Sequence, residues 1–531
     1  MCASIIASLR GPAALSLAAV GLLTALCLAL PTANSTGDAW YYAACARWGH
    51  ELAQPHHLLY NYVGWWWLRL LGATGPAAGL AALRALQALN ALAAGGCLLA
   101  LGGLLRQSGA PPAAVPAWQL LVGSCFGLLR FATENEAYVL PLLAALLASQ
   151  AWVRAQDRAA RPGRWLGLAG ALAVLACLLH QLMVWWWLGL LLGLRPWRNW
   201  VALRVAALFL APAALVPLAY GWALGAQGQP IEMGALVHFA LHDYLLGNAQ
   251  ISFGAKSWLL TAISLVRTVG QVHGNLLPLL HRWPGLGAVA LASLALGVYA
   301  VLGRRRAKDQ PPARIVPTHT PPAARFVRRT HALIGALHLG FAAQAAGNAE
   351  FMVMLPALAA LALAGGALAA WPTRRVAALG GALLSWNVAF GLVPAHWLVY
   401  TDAGPALRAR VLAQPHAWFL LRDPNLLRNQ LHYFTGQPAS PPGVVGAPAL
   451  WVQQPGHSPA SFRAWLAARL AAGDTVYTDA VGGAPPLDRA QLTLTHDNAA
   501  LLAGFRQVRR DSFPTFFGPG YLAQLQVFAQ E

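Results

Sequence analysis

The sequence predicts a polytopic α-helical membrane protein with a small α/β domain at its C-terminus. Of the 531 residues, 58% are hydrophobic and only 10% are charged, whereas a soluble protein of this size carries about 25% charged residues. Apolar runs with the length of a membrane span recur as far as residue 396, and the sequence after Trp397 is polar and rich in proline. We therefore predict a membrane domain over residues 1–399 and a second domain over residues 400–531.

About eleven apolar runs serve as predicted spans, although some are short for a bilayer crossing. They fall at 13–30, 79–104, 114–131, 136–153, 165–179, 182–194, 201–224, 284–303, 331–347, 351–370 and 376–396. We expect the first run to be a retained helix, because no clean small-residue cleavage site of a signal peptide follows it. In the segment 227–284, apolar residues recur at intervals of three and four, which predicts an amphipathic helix on the outer membrane surface.

The net charge is +19, and the basic residues lie in alternate gaps between the apolar runs. The positive-inside rule makes those gaps cytoplasmic. The N-terminus and the loop 304–330 are then cytoplasmic, while the first loop (residues 31–78), the segment 227–284 and the C-terminal domain are external. We therefore expect a multi-pass protein of a bacterial inner membrane, with the lipid bilayer as its partner and no nucleic acid.

The C-terminal domain shows alternating strand and helix patterns. Strands are predicted at Ala417–Leu421, Ala449–Gln453, Thr475–Thr478 and Gln524–Phe528, and helices at Leu426–Phe434 and Ser461–Ala472. Gly473 follows the second helix as a C-cap signal. This alternation predicts a mainly parallel sheet.

The first loop contains the first carboxylate of the chain, Asp38, a few residues after the first span. Partial desolvation at the membrane boundary would raise the basicity of this carboxylate and allow it to deprotonate a hydroxyl. The alternative is that Asp38 is a helix N-cap. Further along the loop, the adjacent His56 and His57 point in different directions and make a poor metal site, and Tyr60 suits an interfacial aromatic belt.

A second polar turn contains Arg130, Glu134 and Glu136. The two carboxylates could share a divalent cation or orient a substrate, or they could favour the N-terminus of the next helix. Arg130 could extend to the membrane surface or bind a phosphate. His180 and Glu350 lie in two further turns on the same predicted side, so these residues could form one site between helices. External loops that merely tolerate acidic residues remain the alternative.

These features resemble the GT-C class of polytopic glycosyltransferases, such as the protein O-mannosyltransferase and aminoarabinose transferase types. The matching stretches are Gly37-Asp38, Pro55-His56-His57-Leu58-Leu59-Tyr60 and Glu134-Asn135-Glu136-Ala137-Tyr138. The chain departs from the class in having no D-x-D pair, and it has His57 where the class has proline.

The resemblance implies transfer of a hexose or pentose from a polyprenyl-phosphate donor to an envelope glycan, lipid or protein acceptor. Asp38 would act as the base or orient the acceptor hydroxyl, and Glu134 and Glu136 would assist directly or through a metal. The other residues expected to bind substrate or to stabilise the leaving phosphate are His56, His57, Tyr60, Arg47, Arg69, Arg130, His180, Lys256, Arg267 and Glu350.

No cofactor and no metal ligand is assigned, and a divalent cation, Mg²⁺ or Mn²⁺, is left open. Two other functions also stay open. Arg84, Gln87 and Asn90 within the second span would suit a transporter or flippase, although carboxylates are nearly absent from helix centres, where coupling sites lie. The chain could also be a non-catalytic partner in envelope polysaccharide assembly.

Overall fold

The computed structural model describes most of the chain and is mainly helical. The described residues are 11–156, 162–194, 200–245, 254–272, 276–302, 322–345, 347–369, 371–400, 404–438, 441–481 and 496–528. Of the predicted loop 304–330, residues 304–321 lie outside this part of the chain, and residues 322–330 belong to a helix.

The described residues up to 400 are mainly helical, and we refer to this part of the chain as the membrane domain. Its helices are α1 (Pro12–Ala29), α2 (Gly37–Trp48), α3 (Tyr60–Leu70), α4 (Ala81–Gln107), α5 (Val115–Gly123), α6 (Phe126–Ala132), α7 (Val139–Arg154), α8 (Pro162–Leu179), α9 (Val184–Leu192), α10 (Trp200–Leu210), α11 (Leu215–Ala226), α12 (Met233–Ala240), α13 (His242–Leu245), α14 (Ala255–Val269), α15 (Leu276–Arg282), α16 (Leu286–Leu302), α17 (Pro322–Gln344), α18 (Leu355–Leu363), α19 (Thr373–Asn387) and α20 (Val393–Trp397).

Five helices in the described part of the chain are long and apolar enough to cross a membrane, and they match five of the predicted spans. They are Pro12–Ala29, Ala81–Gln107, Pro162–Leu179, Ala206–Ala226 and Thr373–Trp397. The predicted span 114–131 is a helix pair bent by 69°, and four others are shorter apolar helices of 10–17 residues. The run 331–347 belongs to α17, whose first turns carry Arg325, Arg328 and Arg329 and make it less apolar. The predicted number of about eleven full spans is therefore not established by these helices.

The predicted amphipathic segment contains α14, and its polar side is the side that packs against the protein. Ser257, Thr261, Ser264 and Thr268 are buried, while large apolar residues such as Trp258 are exposed. Small hydroxyl side chains permit close helix contact, and those of Thr261 and Thr268 donate to carbonyls of their own helix. The apolar face therefore points outward.

The residues after 400, to which we refer as the C-terminal domain, contain one mixed sheet. Its strands are β1 (Trp418–Leu421), β2 (Val444–Gly446), β3 (Val476–Thr478), β4 (Phe505–Thr515) and β5 (Gly518–Val527), and its helices are α21 (Gly404–Ala413), α22 (Pro424–Thr435), α23 (Pro448–Val452), α24 (Pro459–Ala471) and α25 (Asn498–Leu502). The sheet order is β2-β1-β3-β5-β4. The pairs β1–β2 and β1–β3 are parallel, and the pairs β3–β5 and β4–β5 are antiparallel.

The strand predictions for this domain are partly correct. The predicted strands near residues 418, 476 and 525 are present, and both predicted helices are present. The prediction of a strand at Ala449–Gln453 is wrong, because this segment falls mostly on α23. That helix begins with Pro448, and proline is favoured at the first position of a helix. The hairpin of β4 and β5 makes half of the sheet antiparallel, so the expectation of a mainly parallel sheet is only partly met.

Candidate active site

Helix α2 places Asp38 in its first turn. Thr36 is the N-cap, with its hydroxyl accepting a hydrogen bond from the Ala39 amide at 3.0 Å. The helix ends at Gly49, whose φ of 72° is left-handed. Asp38 is therefore not the cap, and its side chain is exposed. The protein itself does not bury Asp38, so its expected desolvation at the membrane boundary stays a prediction.

The acidic turn (residues 133–138) connects α6 and α7, and it buries both of its carboxylates. Glu134 and Glu136 are each 3% exposed. The side-chain amide of Asn90, in α4, donates to the Glu134 carbonyl at 2.7 Å and to the Glu136 carbonyl at 2.9 Å. One buried amide therefore determines the backbone path of this turn.

The first loop and the acidic turn form one hydrogen-bonded unit. The hydroxyl of Thr36 donates to the Glu136 carboxylate. The Asn135 amide donates to the Ala39 carbonyl at 2.9 Å, and the Asn135 oxygen accepts from the Tyr60 hydroxyl at 3.0 Å. The first turn of α2 is thereby tied to the acidic turn, although about a hundred residues separate them in sequence. This arrangement favours a shared site over an isolated helix N-terminus for Glu136.

The carboxylates of the site interact electrostatically. Burial raises the pKa of Glu136 well above its ordinary value, and the nearby Glu350, Asp38 and Glu134 raise it further. Burial also raises the pKa of Glu134 to about 7, against opposing contributions that include the charge of Arg130. Burial and the repulsion between these carboxylates therefore both favour the protonated form of Glu136.

Glu350 and three histidines surround this group. The Tyr138 hydroxyl donates to the Glu350 carboxylate at 3.0 Å. The ring of His180 lies 5.0 Å from that of Tyr138 and 4.3 Å from that of His57, and His56 lies 4.3 Å from His57, measured between ring centroids. The predicted residues of four separate turns are therefore adjacent in space.

His180 is buried and presents a defined hydrogen-bond donor. Its Nδ1 accepts from the Leu182 amide at 3.1 Å, so the proton of the neutral ring is on Nε2. No described group binds that Nε2. Burial lowers the pKa of His180 to about 3, and the nearby His56 lowers it as well. His180 is thus a neutral donor at neutral pH.

Arg47 has a different environment from the one expected of a phosphate ligand. Its guanidinium donates to the carbonyls of Gly75 at 2.9 Å, Pro76 at 2.8 Å and Tyr433 at 3.0 Å. It is only 4% exposed. These contacts connect the first loop to the C-terminal domain, and each nitrogen of the guanidinium takes part in one of them.

The other predicted cations are distributed unevenly around the site. Arg69 is exposed and stacks on aromatic rings of its own helix. Lys256 is exposed at the start of α14, and Arg267 is half-buried near the other end of that helix, which packs against α6. Arg130, in α6, is half-buried, and its charge acts on Glu134. Arg130 is therefore the predicted cation that the structure couples to the acidic turn.

The polar residues of α4 support loops rather than line a passage through the helix bundle. Arg84 donates to the carbonyls of Pro31 and Thr32, and Gln87 donates to that of Thr32 at 3.1 Å. Asn90 holds the acidic turn. Sequence reasoning missed the roles of Asn90 and of the cap Thr36. The only sequence signal for Asn90 is a polar residue among apolar neighbours, and the only signal for Thr36 is a polar residue before a helix.

The residues described by the structure include no group of three or more His, Cys, Asp or Glu placed to hold a metal ion. The side chains of Glu136 and Glu350 are already engaged with Thr36 and Tyr138. We therefore assign no step to a metal.

Taken together, fold and site define a polytopic helical protein whose apolar helices carry a polar, carboxylate-rich site at their ends. No family model and no curated protein matches the chain.

The solved structures to which the chain is similar include the following three. ArnT from Cupriavidus metallidurans bound to undecaprenyl phosphate has a TM-score of 0.38 and 13% identity, over 96% of this chain and 97% of that one. The oligosaccharyltransferase AglB from Archaeoglobus fulgidus, with an inhibitory peptide and a dolichol-phosphate, has a TM-score of 0.43 and 13% identity, over 95% and 74%. The Archaeoglobus fulgidus oligosaccharyltransferase with Zn and sulfate has a TM-score of 0.43 and 14% identity, over 95% and 72%. ArnT and AglB are GT-C glycosyltransferases, the class that the sequence motifs resemble.

Proposed function

We propose that this protein transfers a sugar from a polyprenyl-phosphate donor to an acceptor hydroxyl at the external face of a bacterial inner membrane. The acceptor would be an envelope glycan, a lipid or a protein. One observation carries this proposal: the exposed carboxylate of Asp38 stands beside the buried Glu134 and Glu136, in a site held together from loops far apart in sequence.

Asp38 is the carboxylate of this group that a substrate can reach. In a single displacement, Asp38 takes the proton of the acceptor hydroxyl while the hydroxyl oxygen attacks the anomeric carbon. The bond between that carbon and the phosphate oxygen breaks, and polyprenyl phosphate leaves with the electron pair. The configuration at the anomeric carbon is inverted.

The buried carboxylates act on Asp38 through their position and charge. Glu136 is bonded to the N-cap of α2, so it orients the turn that carries Asp38. The leaving phosphate needs cations or hydrogen-bond donors. Arg130, whose charge acts on Glu134, and the Nε2–H of His180 are the groups that we assign to this role. Lipid phosphates of the donor's class are present in the ArnT and AglB structures.

The test uses full-length protein in proteoliposomes with a polyprenyl-phosphate-linked sugar and an acceptor extract. We expect Asp38→Asn to reduce transfer by about 10²-fold or more, as loss of a general base does. Glu51→Gln is the matched control, because Glu51 is an exposed carboxylate of the same loop, bonded to the Tyr41 hydroxyl. Full transfer by Asp38→Asn would disprove the assignment, and movement of an unmodified substrate across the vesicle membrane would identify a transporter instead.

A further inference from the structure

The C-terminal domain lies directly against the helix that carries Asp38. Helix α22 of that domain packs along α2. Leu426 lies beside Gly37 at the start of both helices, with the Leu426 nitrogen 3.6 Å from the position that a Gly37 Cβ would take. Gly436 lies beside the Trp48 ring at their ends. The two helices therefore run side by side in the same direction over their full lengths.

The far end of this helix pair is closely fixed. The Tyr433 carbonyl accepts from the Arg47 guanidinium at 3.0 Å and from the Trp48 indole at 2.9 Å. The Tyr433 hydroxyl donates to the Gly79 carbonyl at 2.6 Å and accepts from the Leu83 amide at 3.1 Å. Tyr433 is fully buried. Its hydrogen bonds connect α22 both to α2 and to the start of α4.

At the near end, the side-chain amide of Asn429 donates to the Gly37 carbonyl at 2.9 Å. Gly37 directly precedes Asp38. On its other side, the same turn is held by the acidic turn through Thr36 and Asn135. The first turn of α2 is thus held between the membrane domain and the C-terminal domain.

We infer that the C-terminal domain positions Asp38, and that Asn429 is the positioning residue. This inference rests on the proposed function only for its effect on catalysis. A helix turn held from both sides has little freedom to rotate, and rotation of α2 would move the Asp38 carboxylate. Displacement of a reacting group by about 1 Å can reduce a rate by about 10²-fold. The domain is then part of the catalytic unit and not only a docking module.

The test compares Asn429→Asp and Asn429→Leu with the wild-type full-length protein. Both variants remove the donor to Gly37 and keep the branched shape of the side chain, Asn429→Asp with a negative charge and Asn429→Leu with two methyl groups. Thr478→Val is the matched control: the buried Thr478 hydroxyl donates to the Leu420 carbonyl at 2.8 Å within the sheet. The same hydroxyl accepts from the Ala480 amide at 3.1 Å, so this control loses two hydrogen bonds of the C-terminal domain without touching α2.

The first readout is hydrogen exchange of the amides of Ala39 and Trp40, which are bonded to Thr36 in the first turn of α2. We expect about tenfold faster exchange in both Asn429 variants, as loss of one hydrogen bond permits, and no change in Thr478→Val. The second readout is transfer kinetics, with kcat about tenfold to 10²-fold lower and KM within about twofold.

Unchanged exchange in the Asn429 variants would overturn the inference whatever the activity. Faster exchange with wild-type kcat would overturn it as well, because the contact would then be structural only. A wild-type protein that transfers no sugar would refute the proposed function, and the exchange measurement would still decide whether α22 holds the turn of Asp38.

Discussion

Asn90 offers the most direct test of how the site is built. Its side chain is fully buried in α4, and its amide donates to the Glu134 and Glu136 carbonyls at 2.7 and 2.9 Å. Asn90→Leu keeps the branched shape of the side chain, with slightly more bulk, and removes this donor from both carbonyls. The Glu136 carbonyl keeps the Tyr138 amide as a donor at 3.0 Å, so the Glu134 carbonyl is the group left unsatisfied. An unsatisfied buried group costs about 1–3 kcal/mol, so we expect a stability loss in that range or, if the turn relaxes, displaced carboxylates.

These two results of Asn90→Leu can be separated by experiment. Thermal unfolding in detergent measures the loss of stability, and the rate of sugar transfer from the lipid-linked donor measures whether the carboxylates of the site are displaced. Because the acidic turn also binds Thr36 and Ala39, we expect transfer to fall by at least about tenfold even when the protein remains folded.

Gln150→Leu is the matched control for Asn90→Leu. Its amide donates to the Ala100 carbonyl of α4 at 2.9 Å, in the same helix bundle but outside the site. Gln150→Leu should lower stability by about 1 kcal/mol and leave transfer unchanged. If Asn90→Leu resembles this control, or the wild-type, in both stability and transfer, the argument that one amide organises the acidic turn is wrong.

Three further predictions concern single groups of the site. Burial raises the pKa of Glu134 to about 7, so the native state binds its proton more tightly than the unfolded state and this stabilisation is lost as pH rises from about 4.5 to 7. The difference in melting temperature between wild-type and Glu134→Gln should therefore change over this pH range, and a difference that stays constant with pH would contradict this prediction. Arg47→Met should lower melting temperature more than Arg69→Met, because only Arg47 is buried and bonded to three carbonyls; equal losses would contradict its bridging role. Arg130→Gln should raise the KM for the lipid donor by about tenfold, as loss of a charged contact does, with an unchanged KM excluding Arg130 from the phosphate site.

Much of the fold follows from patterns that are local in sequence. Hydrophobic run length marks the helices of the membrane domain, and the change of composition after Trp397 marks the second domain. Local patterns are less reliable where tertiary contacts decide, as in Ala449–Gln453, which is mostly helical. The long hairpin of β4 and β5 was only partly predicted, because its outer strand alternates polar residues with few apolar ones.

In the site, too, some features can be predicted from the local sequence, and others depend on contacts between residues that are distant in sequence. Sequence analysis selected Asp38, Glu134, Glu136 and Glu350 because they are scarce carboxylates on one predicted side of the membrane, and the structure brings them together. Their catalytic roles remain a proposal. The environment of Arg47 could not be predicted, since its partners at Gly75 and Tyr433 are distant in sequence.

The sequence also could not reveal which carboxylate the protein buries and thereby desolvates. Proximity to a predicted span suggested Asp38, but exposure depends on the neighbours that fold over a turn. Thr36 caps α2 and donates to Glu136, which is buried, while Asp38, two residues after Thr36, is exposed. The buried carboxylates can then hold a proton and shape the site, while the exposed carboxylate remains accessible to an acceptor hydroxyl. This division of roles explains why one polar loop and one polar turn are both needed at the ends of otherwise apolar helices.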